Sequence, residues 1–289
     1  MNIIDGNAIA KIVLNKLADT LQSLKHKPTI AFLRIGDDPA SIAYVNKKQS
    51  VAKAVGIESQ LYVFDITTTQ TVLIDCIQKL NNDPHVHGIL VQAPLPKHIC
   101  EKKVFSAIHP DKDVDGFHPL NLGKLCQEDD SGFVACTPLG ILELLKNSNI
   151  SIAGRHIVVV GRSVIVGKPT SLLLLRKNIF GNATVTTCHS HTHNLKTITQ
   201  MADILIVAMG KPRLITADMV KHGAVVIDVG TTRVEGPQYK NGFALKGDVE
   251  FKEVAPKTSF ITPVPGGVGP MTIASLLLNT LRATELRNP

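Results

Sequence analysis

Residues 158–169 read VVVGRSVIVGKP, and this stretch decides the fold. Its three valines predict a buried strand, Gly161 and Gly167 bracket a loop, and Pro169 suits the first turn of a helix. A strand, a loop and a helix start in this order can hold a dinucleotide phosphate, because backbone N–H groups and the positive end of the helix face it. Two glycines in place of the three in G-x-G-x-x-G make the loop alone a weak indicator.

The end of the next predicted strand bears on which dinucleotide binds. Residues 187–191 read TCHSH and contain no carboxylate, whereas NAD-specific folds place an acidic residue there for the ribose hydroxyls. Arg162 can supply a fixed positive charge and Ser190 a hydroxyl, which suits the extra phosphate of NADP. The alternative interpretation of Arg162 is a solvated loop residue.

Outward from this stretch, short apolar runs alternate with helical periods, which predicts βαβ units and parallel sheets. The predicted strands cover 29–35, 60–66, 88–92, 156–160, 184–187, 204–208 and 225–229. Helices are predicted over 8–24, 39–55, 71–80 and 138–147, from 167, near 195, and over 270–282. The segment 109–132 is predicted to be mostly loop.

A length of 289 residues suits two domains. We predict an α/β fold in which residues 1–137 form a smaller catalytic α/β domain and residues 138–269 form a Rossmann-type dinucleotide-binding domain. The last helix, about 270–285, is expected to pack back on the first domain.

Composition and charge narrow the possible functions. The chain is 44% hydrophobic and 19% charged, as in an ordinary globular protein, and its net charge of +7 suits an anionic partner. Its short lysine clusters lack the interleaved aromatics of a single-strand binder, so nucleic acid is the weaker choice. Nothing resembles a cleaved signal peptide, and no apolar run reaches the roughly 18–20 residues that span a bilayer.

Cysteine and histidine spacing gives little support for a bound metal. Five cysteines, an odd number, are scattered without ligand spacing, which predicts reduced thiols in a cytoplasmic protein. His189, His191 and His193 alternate, but they straddle a strand end and have no acidic partner beside them. We therefore predict no metal site.

Four further motifs carry the chemistry. Tyr44 and Lys48 lie four residues apart on a predicted helix and so share one face. Residues 88–96 read GILVQAPLP, residues 110–119 read PDKDVDGFHP, and residues 262–272 read TPVPGGVGPMT. Together with the Gly161 loop, this series closely resembles the bifunctional methylenetetrahydrofolate dehydrogenase/methenyltetrahydrofolate cyclohydrolase family over essentially the whole chain.

The resemblance implies an activity and a set of residues. A member of this family oxidises 5,10-methylenetetrahydrofolate with NADP and then hydrolyses the methenyl product to 10-formyltetrahydrofolate, in a cleft between its two domains. Lys48 resembles the catalytic lysine, Gln92 the residue that positions it, Tyr44 the ring that stacks on the folate, and Asp115 the carboxylate that binds the pterin amino groups. The implied NADP contacts are Gly161, Arg162, Ser163, Ser190 and Thr231, and the implied substrate loop is Pro265, Gly266 and Gly267.

The resemblance also implies a setting for the enzyme. It implies a cytoplasmic homodimer that acts on folate, with or without a polyglutamate tail, and serves purine, methionine and histidine biosynthesis. One departure is Ala93, where a larger apolar residue is expected beside Gln92.

Three alternatives stay open on the sequence alone. A dehydrogenase without the hydrolytic step is disfavoured because Tyr44, Lys48 and Gln92 are all present. An amino-acid dehydrogenase is disfavoured by the motif at 113–116. A basic nucleic-acid-binding protein would instead show salt-sensitive retention on DNA.

Overall fold

The computed structural model describes residues 1–24, 26–239 and 242–286. Within them, the strands are β1 (Asn2–Ile3), β2 (Thr29–Ile35), β3 (Glu58–Phe64), β4 (Gly88–Val91), β5 (His156–Val160), β6 (Thr184–Cys188), β7 (Ile204–Val207), β8 (Val225–Asp228), β9 (Thr232–Glu235), β10 (Phe243–Lys246) and β11 (Phe260–Ile261). The α-helices are α1 (Gly6–Gln22), α2 (Pro39–Val55), α3 (Gln70–Asn82), α4 (Glu101–Phe105), α5 (Pro119–Cys126), α6 (Cys136–Asn147), α7 (Gly167–Leu175), α8 (Leu195–Thr199), α9 (Phe251–Val254) and α10 (Val268–Glu285).

The chain divides into two compact units. The larger-sheet unit comprises Met1–Lys11 and Thr137–Thr272, and the smaller-sheet unit comprises Ile12–Cys136 and the chain from Ile273 onward. Together they form a two-domain α/β protein, as predicted. Each unit is built around its own parallel sheet.

The sheet of the larger-sheet unit has the strand order β1-β11-β8-β7-β5-β6, and its neighbouring strands pair in parallel. Its central strands β5, β7 and β8 are apolar except at His156 and Asp228, as expected for strands that are covered on both faces. Val158 and Val160 of β5 belong to one buried cluster with Leu205 of β7 and Val226 of β8. This core fixes the strand ends from which the functional loops begin.

The first strand belongs to this larger sheet. Asn2 and Ile3 pair in parallel with Phe260 and Ile261 of β11, whereas the sequence pattern assigns residues 1–137 to the other domain. A pairing of two residues with two others leaves no periodic signal in the sequence, which is why the pattern does not show it.

The sheet of the smaller-sheet unit has the order β3-β2-β4, all parallel. Alternate residues of β2 serve two cores: Ile30 and Phe32 pack in one cluster with residues of α1 and α10, while Leu33 packs in another with residues of α3. This burial of both faces explains why residues 30–33 are all apolar. β3 lies at the edge of the sheet, with Leu61 and Val63 exposed.

Helix α2 follows β2 and has the predicted ends. The Asp38 carboxylate accepts the Ser41 N–H at 2.8 Å, Pro39 occupies the first turn, and Gly56 ends the helix with φ +95°. These local signals fix both ends of α2, the helix that carries Tyr44 and Lys48.

The prediction of loop over 109–132 is partly wrong. Residues 119–126 form α5, in which the His118 ring accepts the Leu120 N–H and Pro119 opens the first turn. Eight residues give too few helical periods for recognition. Other short elements also have too few residues for a periodic pattern to indicate them. They are the β9–β10 hairpin, the strand β11, and the helices α4 and α9. No helix in the described ranges is long and apolar enough to cross a bilayer.

Candidate active site

Helix α2 and strand β4 bring the predicted catalytic lysine and glutamine together. Lys48 Nζ donates to Gln92 Oε1 at 3.0 Å, and both side chains are half-buried. The Gln92 N–H donates to the Leu33 carbonyl at 2.8 Å, and its side-chain Nε2 donates to the Ala93 carbonyl at 2.6 Å. These bonds turn the amide oxygen towards the lysine. Tyr44 lies one helical turn before Lys48 and is 47% exposed.

Asp115 completes this cluster. Its carboxyl group is partly buried, and that burial raises its pKa, while the nearby Lys48 ammonium opposes the rise and Asp113 adds to it. The buried thiol of Cys136 lies close to the Asp115 carboxyl group and slightly offsets the rise in its pKa. The site therefore places the Asp115 carboxyl group close to the Lys48 ammonium group, with both side chains half-buried.

Asp113 builds the turn that presents Asp115. Its fully buried carboxylate accepts the N–H groups of Phe117 at 3.1 Å and His118 at 2.8 Å, and the Asn121 amide at 2.8 Å. Burial raises the pKa of Asp113, and these three donors oppose the rise. The two aspartates of the motif thus have different tasks, a division that the sequence does not reveal.

Two further residues of this cluster were missed. Asn279 of α10 donates to the Val114 carbonyl at 2.9 Å and to the Val134 carbonyl at 3.0 Å. Cys136 Sγ donates to the same Val114 carbonyl at 3.2 Å. Asn279 lies 165 residues from Val114 in sequence, so no local pattern could have identified it.

The loop after β5 has the close backbone approach that a dinucleotide requires. Gly161 has φ +136°, and a Cβ there would collide with the Ala208 carbonyl oxygen, while a Cβ on Gly167 would collide with the Gly161 carbonyl oxygen. The Ser163 hydroxyl accepts the N–H groups of Val166 at 3.1 Å and Gly167 at 3.3 Å, and so holds the start of α7. These residues fit a phosphate cradle.

The end of β6 lies beside this loop. The Gly161 N–H donates to the Cys188 carbonyl at 2.8 Å. The pKa of His189 is lowered by burial, by the charge of Arg162 and by the neighbouring His191 ring. The positive charge of Arg162 therefore lies close enough to influence the end of β6. Arg162 and Ser190 are both exposed there. A fixed cation and a hydroxyl, without a carboxylate, fit the extra phosphate of NADP.

The remaining predicted residues also lie in the larger-sheet unit. Thr231 is exposed and follows Gly230 in the loop after β8. Gly266 has φ +103°, and Gly267 packs so closely on Gly6 that a Cβ on Gly6 would collide with its carbonyl oxygen. Pro265 beside them is exposed. Within the described residues, the histidines near β6 and all other possible ligands form no group of three that could hold a metal.

Asp228 and Asp248 form a second buried pair of carboxyl groups. Burial raises the pKa of Asp228 to about 7, against three backbone N–H groups that lower it, and the charge of Asp248 adds to the rise. Burial also raises the pKa of Asp248, and its backbone donors oppose this. Asp228 is the last residue of β8, and Asp248 follows the β9–β10 hairpin. Both lie in the larger-sheet unit.

A glycine cradle at the end of β5 in a parallel sheet, with a lysine, glutamine and aspartate cluster on a second α/β unit, defines a two-domain dinucleotide-dependent dehydrogenase. Models of both domains of one family match the chain. "Tetrahydrofolate dehydrogenase/cyclohydrolase, catalytic domain" matches residues 4–115, and "Tetrahydrofolate dehydrogenase/cyclohydrolase, NAD(P)-binding domain" matches residues 135–288. The chain belongs to the tetrahydrofolate dehydrogenase/cyclohydrolase family, and the predicted family is confirmed.

Relatives match over nearly the whole chain. The bifunctional protein FolD of Bacillus subtilis is 52% identical over 286 residues, which are 98% of this chain and 97% of the relative. The structure of the bifunctional dehydrogenase/cyclohydrolase FolD from Campylobacter jejuni has a TM-score of 0.93 and 44% identity, and covers 99% of each chain. The Trypanosoma brucei FolD structure, complexed with NADP cofactor and inhibitor, has a TM-score of 0.92 and 36% identity, and covers 98% of this chain and 97% of that one.

The raised pKa of Asp228 predicts a pH dependence of stability. Between about pH 4 and pH 7 the folded protein holds a proton that the unfolded chain releases, so stability falls as pH rises through this range. We expect the free energy of unfolding, measured with urea, to drop between about pH 5 and pH 7 by roughly 2 kcal/mol more in the wild type than in Asp228→Asn.

Asp203 provides the control for this measurement. Its pKa is lowered by its bonds to Lys221 and the His156 N–H, so it titrates below the tested range. Asp203→Asn should therefore keep the wild-type slope. An unchanged slope in Asp228→Asn would show that Asp228 is ionised throughout.

Proposed function

We propose that this chain oxidises 5,10-methylenetetrahydrofolate to 5,10-methenyltetrahydrofolate with NADP and then hydrolyses the product to 10-formyltetrahydrofolate. The observation that carries the proposal is the hydrogen bond from Lys48 to Gln92 beside the carboxyl group of Asp115. A pure dehydrogenase has no need of a lysine held in this way. Residues 1–137, apart from the segment around β1 that joins the larger sheet, supply the folate-binding part together with the last helix. Residues 138–269 supply the NADP-binding part.

Oxidation depends on positioning. NADP, when bound, accepts the hydride that leaves the methylene carbon, and the folate nitrogens stabilise the cation that remains. The protein therefore has to hold the folate rather than supply an acid or a base. The exposed ring of Tyr44 offers a stacking surface for the folate, and the Asp115 carboxylate offers acceptors for the pterin amino groups.

Hydrolysis needs proton transfer. Water adds to the methenyl carbon, and Lys48 takes a proton from that water and returns it to the ring nitrogen that leaves. Lys48 accepts this proton through the lone pair of its amine nitrogen. Gln92 holds Nζ in place through its amide oxygen at 3.0 Å.

The NADP contacts follow from the cradle. Gly161 allows the backbone to approach the pyrophosphate, Ser163 shapes the loop, and Arg162 with Ser190 binds the extra phosphate. Thr231 offers its backbone to the cofactor from the loop after β8. Pro265, Gly266 and Gly267 form the substrate loop, in which the two glycines permit a close approach to the backbone.

The assembly is proposed to be a homodimer in the cytoplasm. The edge strand β3 exposes Leu61 and Val63, and an open apolar edge suits pairing with a second copy. Five unpaired cysteines suit a reducing compartment. The net charge of +7 suits a polyglutamylated folate, and the product would serve purine, methionine and histidine biosynthesis.

The proposed dimer can be tested by light scattering. The measured mass should be about twice the chain mass of 31.2 kDa, and a single-chain mass would contradict the dimer.

Lys48→Met should separate the two activities. Removal of the amine abolishes proton transfer, so hydrolysis of methenyltetrahydrofolate should fall by about 100-fold or more, while part of the NADP reduction remains. The measurement follows the absorbance of 5,10-methenyltetrahydrofolate while 5,10-methylenetetrahydrofolate is oxidised. The methenyl product should accumulate in the variant only. Full cyclohydrolase turnover in Lys48→Met would contradict the role of Lys48.

Asp115→Ala is the matched comparison. Loss of the pterin-binding carboxylate should weaken folate binding and so slow both reactions, whereas Lys48→Met affects mainly one.

The wild-type assay also separates the alternative functions. If the wild type itself accumulates methenyl product, the enzyme is a dehydrogenase alone. If it shows no absorbance change but salt-sensitive retention on DNA, the nucleic-acid alternative holds.

Arg162→Ala should reduce the selectivity for NADP. A charge-assisted bond is worth about 1.5–3 kcal/mol, so the Kd for NADP should rise by roughly tenfold or more while that for NAD changes little. Lys221→Ala removes another exposed cation of the same unit, which pairs with Asp203 at 2.6 Å, and should leave both values unchanged. Equal losses for NADP and NAD in Arg162→Ala would show that Arg162 does not read the extra phosphate.

A further inference from the structure

The loops after β7 and β8 lie at the same edge of the larger sheet as the Gly161 cradle. Parallel strands place their carboxyl ends together, and in sheets of this kind the dinucleotide binds outside those ends. The Ala208 carbonyl lies directly against Gly161, and the Ala208 N–H donates to the Val160 carbonyl at 2.7 Å. The position of the loop after β7 therefore sets one wall of the cradle.

Asp248 holds this loop from within the protein. Its side chain is 0% exposed, and its Oδ2 accepts the N–H groups of Met209 at 2.6 Å and Gly210 at 2.9 Å. These are the two residues that follow Ala208. Successive N–H groups aimed at one carboxylate oxygen fix the direction in which the chain leaves β7.

Asp228 holds the second loop and Asp248 itself. Its Oδ1 accepts the N–H groups of Gly230 at 3.1 Å and Asp248 at 2.9 Å, and its Oδ2 accepts the Val249 N–H at 3.0 Å. Asp228 precedes the β9–β10 hairpin and Asp248 follows it. The pair therefore closes the base of the hairpin and links the loops after β7 and β8.

Two glycines interlock with these carboxyl groups. A Cβ on Gly230 would collide with the Asp248 carboxyl group, and a Cβ on Gly247 would collide with Asp228 Oδ2. Each carboxyl group therefore packs directly against the backbone of a loop residue. The pair thus transmits its own position to residues 208–210 and 229–231.

The second oxygen of Asp248 marks the pair as more than a packing element. Asp248 Oδ1 is buried and has no hydrogen-bond partner among the described residues. An incompletely satisfied buried carboxyl group costs stability that an apolar side chain of similar size would not. A buried carboxyl group of this kind suits a residue that fixes the geometry of the backbone around a site.

We propose that Asp248, supported by Asp228, is a positioning residue for NADP: it holds the loop after β7 against Gly161 so that the cradle is formed before the cofactor binds. The inference rests on the proposed function, because it assigns these loops to the NADP site. Asp248 itself touches backbone N–H groups and acts through them.

The test compares three variants by calorimetric NADP binding. Asp248→Ala removes the acceptor and should raise the Kd for NADP by about tenfold or more. Asp248→Asn keeps an acceptor oxygen for Met209 and Gly210, and should stay within about threefold of the wild type. Asp203→Ala is the matched control, because Asp203 bonds to Lys221 and the His156 N–H at the opposite ends of the strands.

Hydrogen exchange without cofactor provides the second readout. In Asp248→Ala the amides of Met209, Gly210 and Gly230 should exchange faster, with Asp203→Ala unchanged there. If Asp248→Ala does not fold, Gly230→Ala displaces the same carboxyl group and should raise the Kd equally. A lower melting temperature with an unchanged Kd in either variant would overturn the proposal and leave a structural role. A wild type that does not bind NADP would instead refute the proposed function.

Discussion

Parallel pairing places the carboxyl ends of all strands of a sheet at one edge, and both units depend on this constraint. In the smaller-sheet unit, Gln92 follows β4 directly. In the larger-sheet unit, Gly161 follows β5 and Ala208 follows β7, and the two are in contact. Residues far apart in sequence meet at one edge because the strands that precede them pair in register.

Buried carboxyl groups shape these edges. Asp113, Asp228 and Asp248 each accept at least two backbone N–H groups, and each organises a turn that presents another residue or loop. Their burial raises the pKa of each, which shows that the arrangement costs free energy. Their backbone hydrogen bonds partly offset that cost. Asp115 differs, because its carboxyl group faces the Lys48 ammonium instead of a turn.

Local signals predicted much of this architecture. The mainly apolar runs at 29–35 and 156–160 predict β2 and β5 with the observed ends, since strands that are covered on both faces show little polar alternation. Asp38, Pro39 and Gly56 predicted both ends of α2, because capping depends on adjacent residues. The predicted pairing of Lys48 with Gln92 rested on family motifs, and the structure brings the two side chains within hydrogen-bond distance.

The remaining features depend on contacts that are distant in sequence. β1 and β11 have two residues each, and their pairing joins the first residues of the chain to position 260. Asn279 reaches Val114 across 165 residues, and Asp248 reaches Met209 across 39. A buried asparagine or aspartate looks the same in sequence whether it caps a turn or binds a ligand. Only the fold distinguishes Asp113 from Asp115.

The most direct measurement is an assay of the purified wild-type protein with 5,10-methylenetetrahydrofolate and NADP, repeated with NAD, in which reduced cofactor and methenyl absorbance are followed together. We expect rapid NADPH formation without lasting methenyl accumulation, and slower reduction of NAD. No reduction of either cofactor would contradict the account.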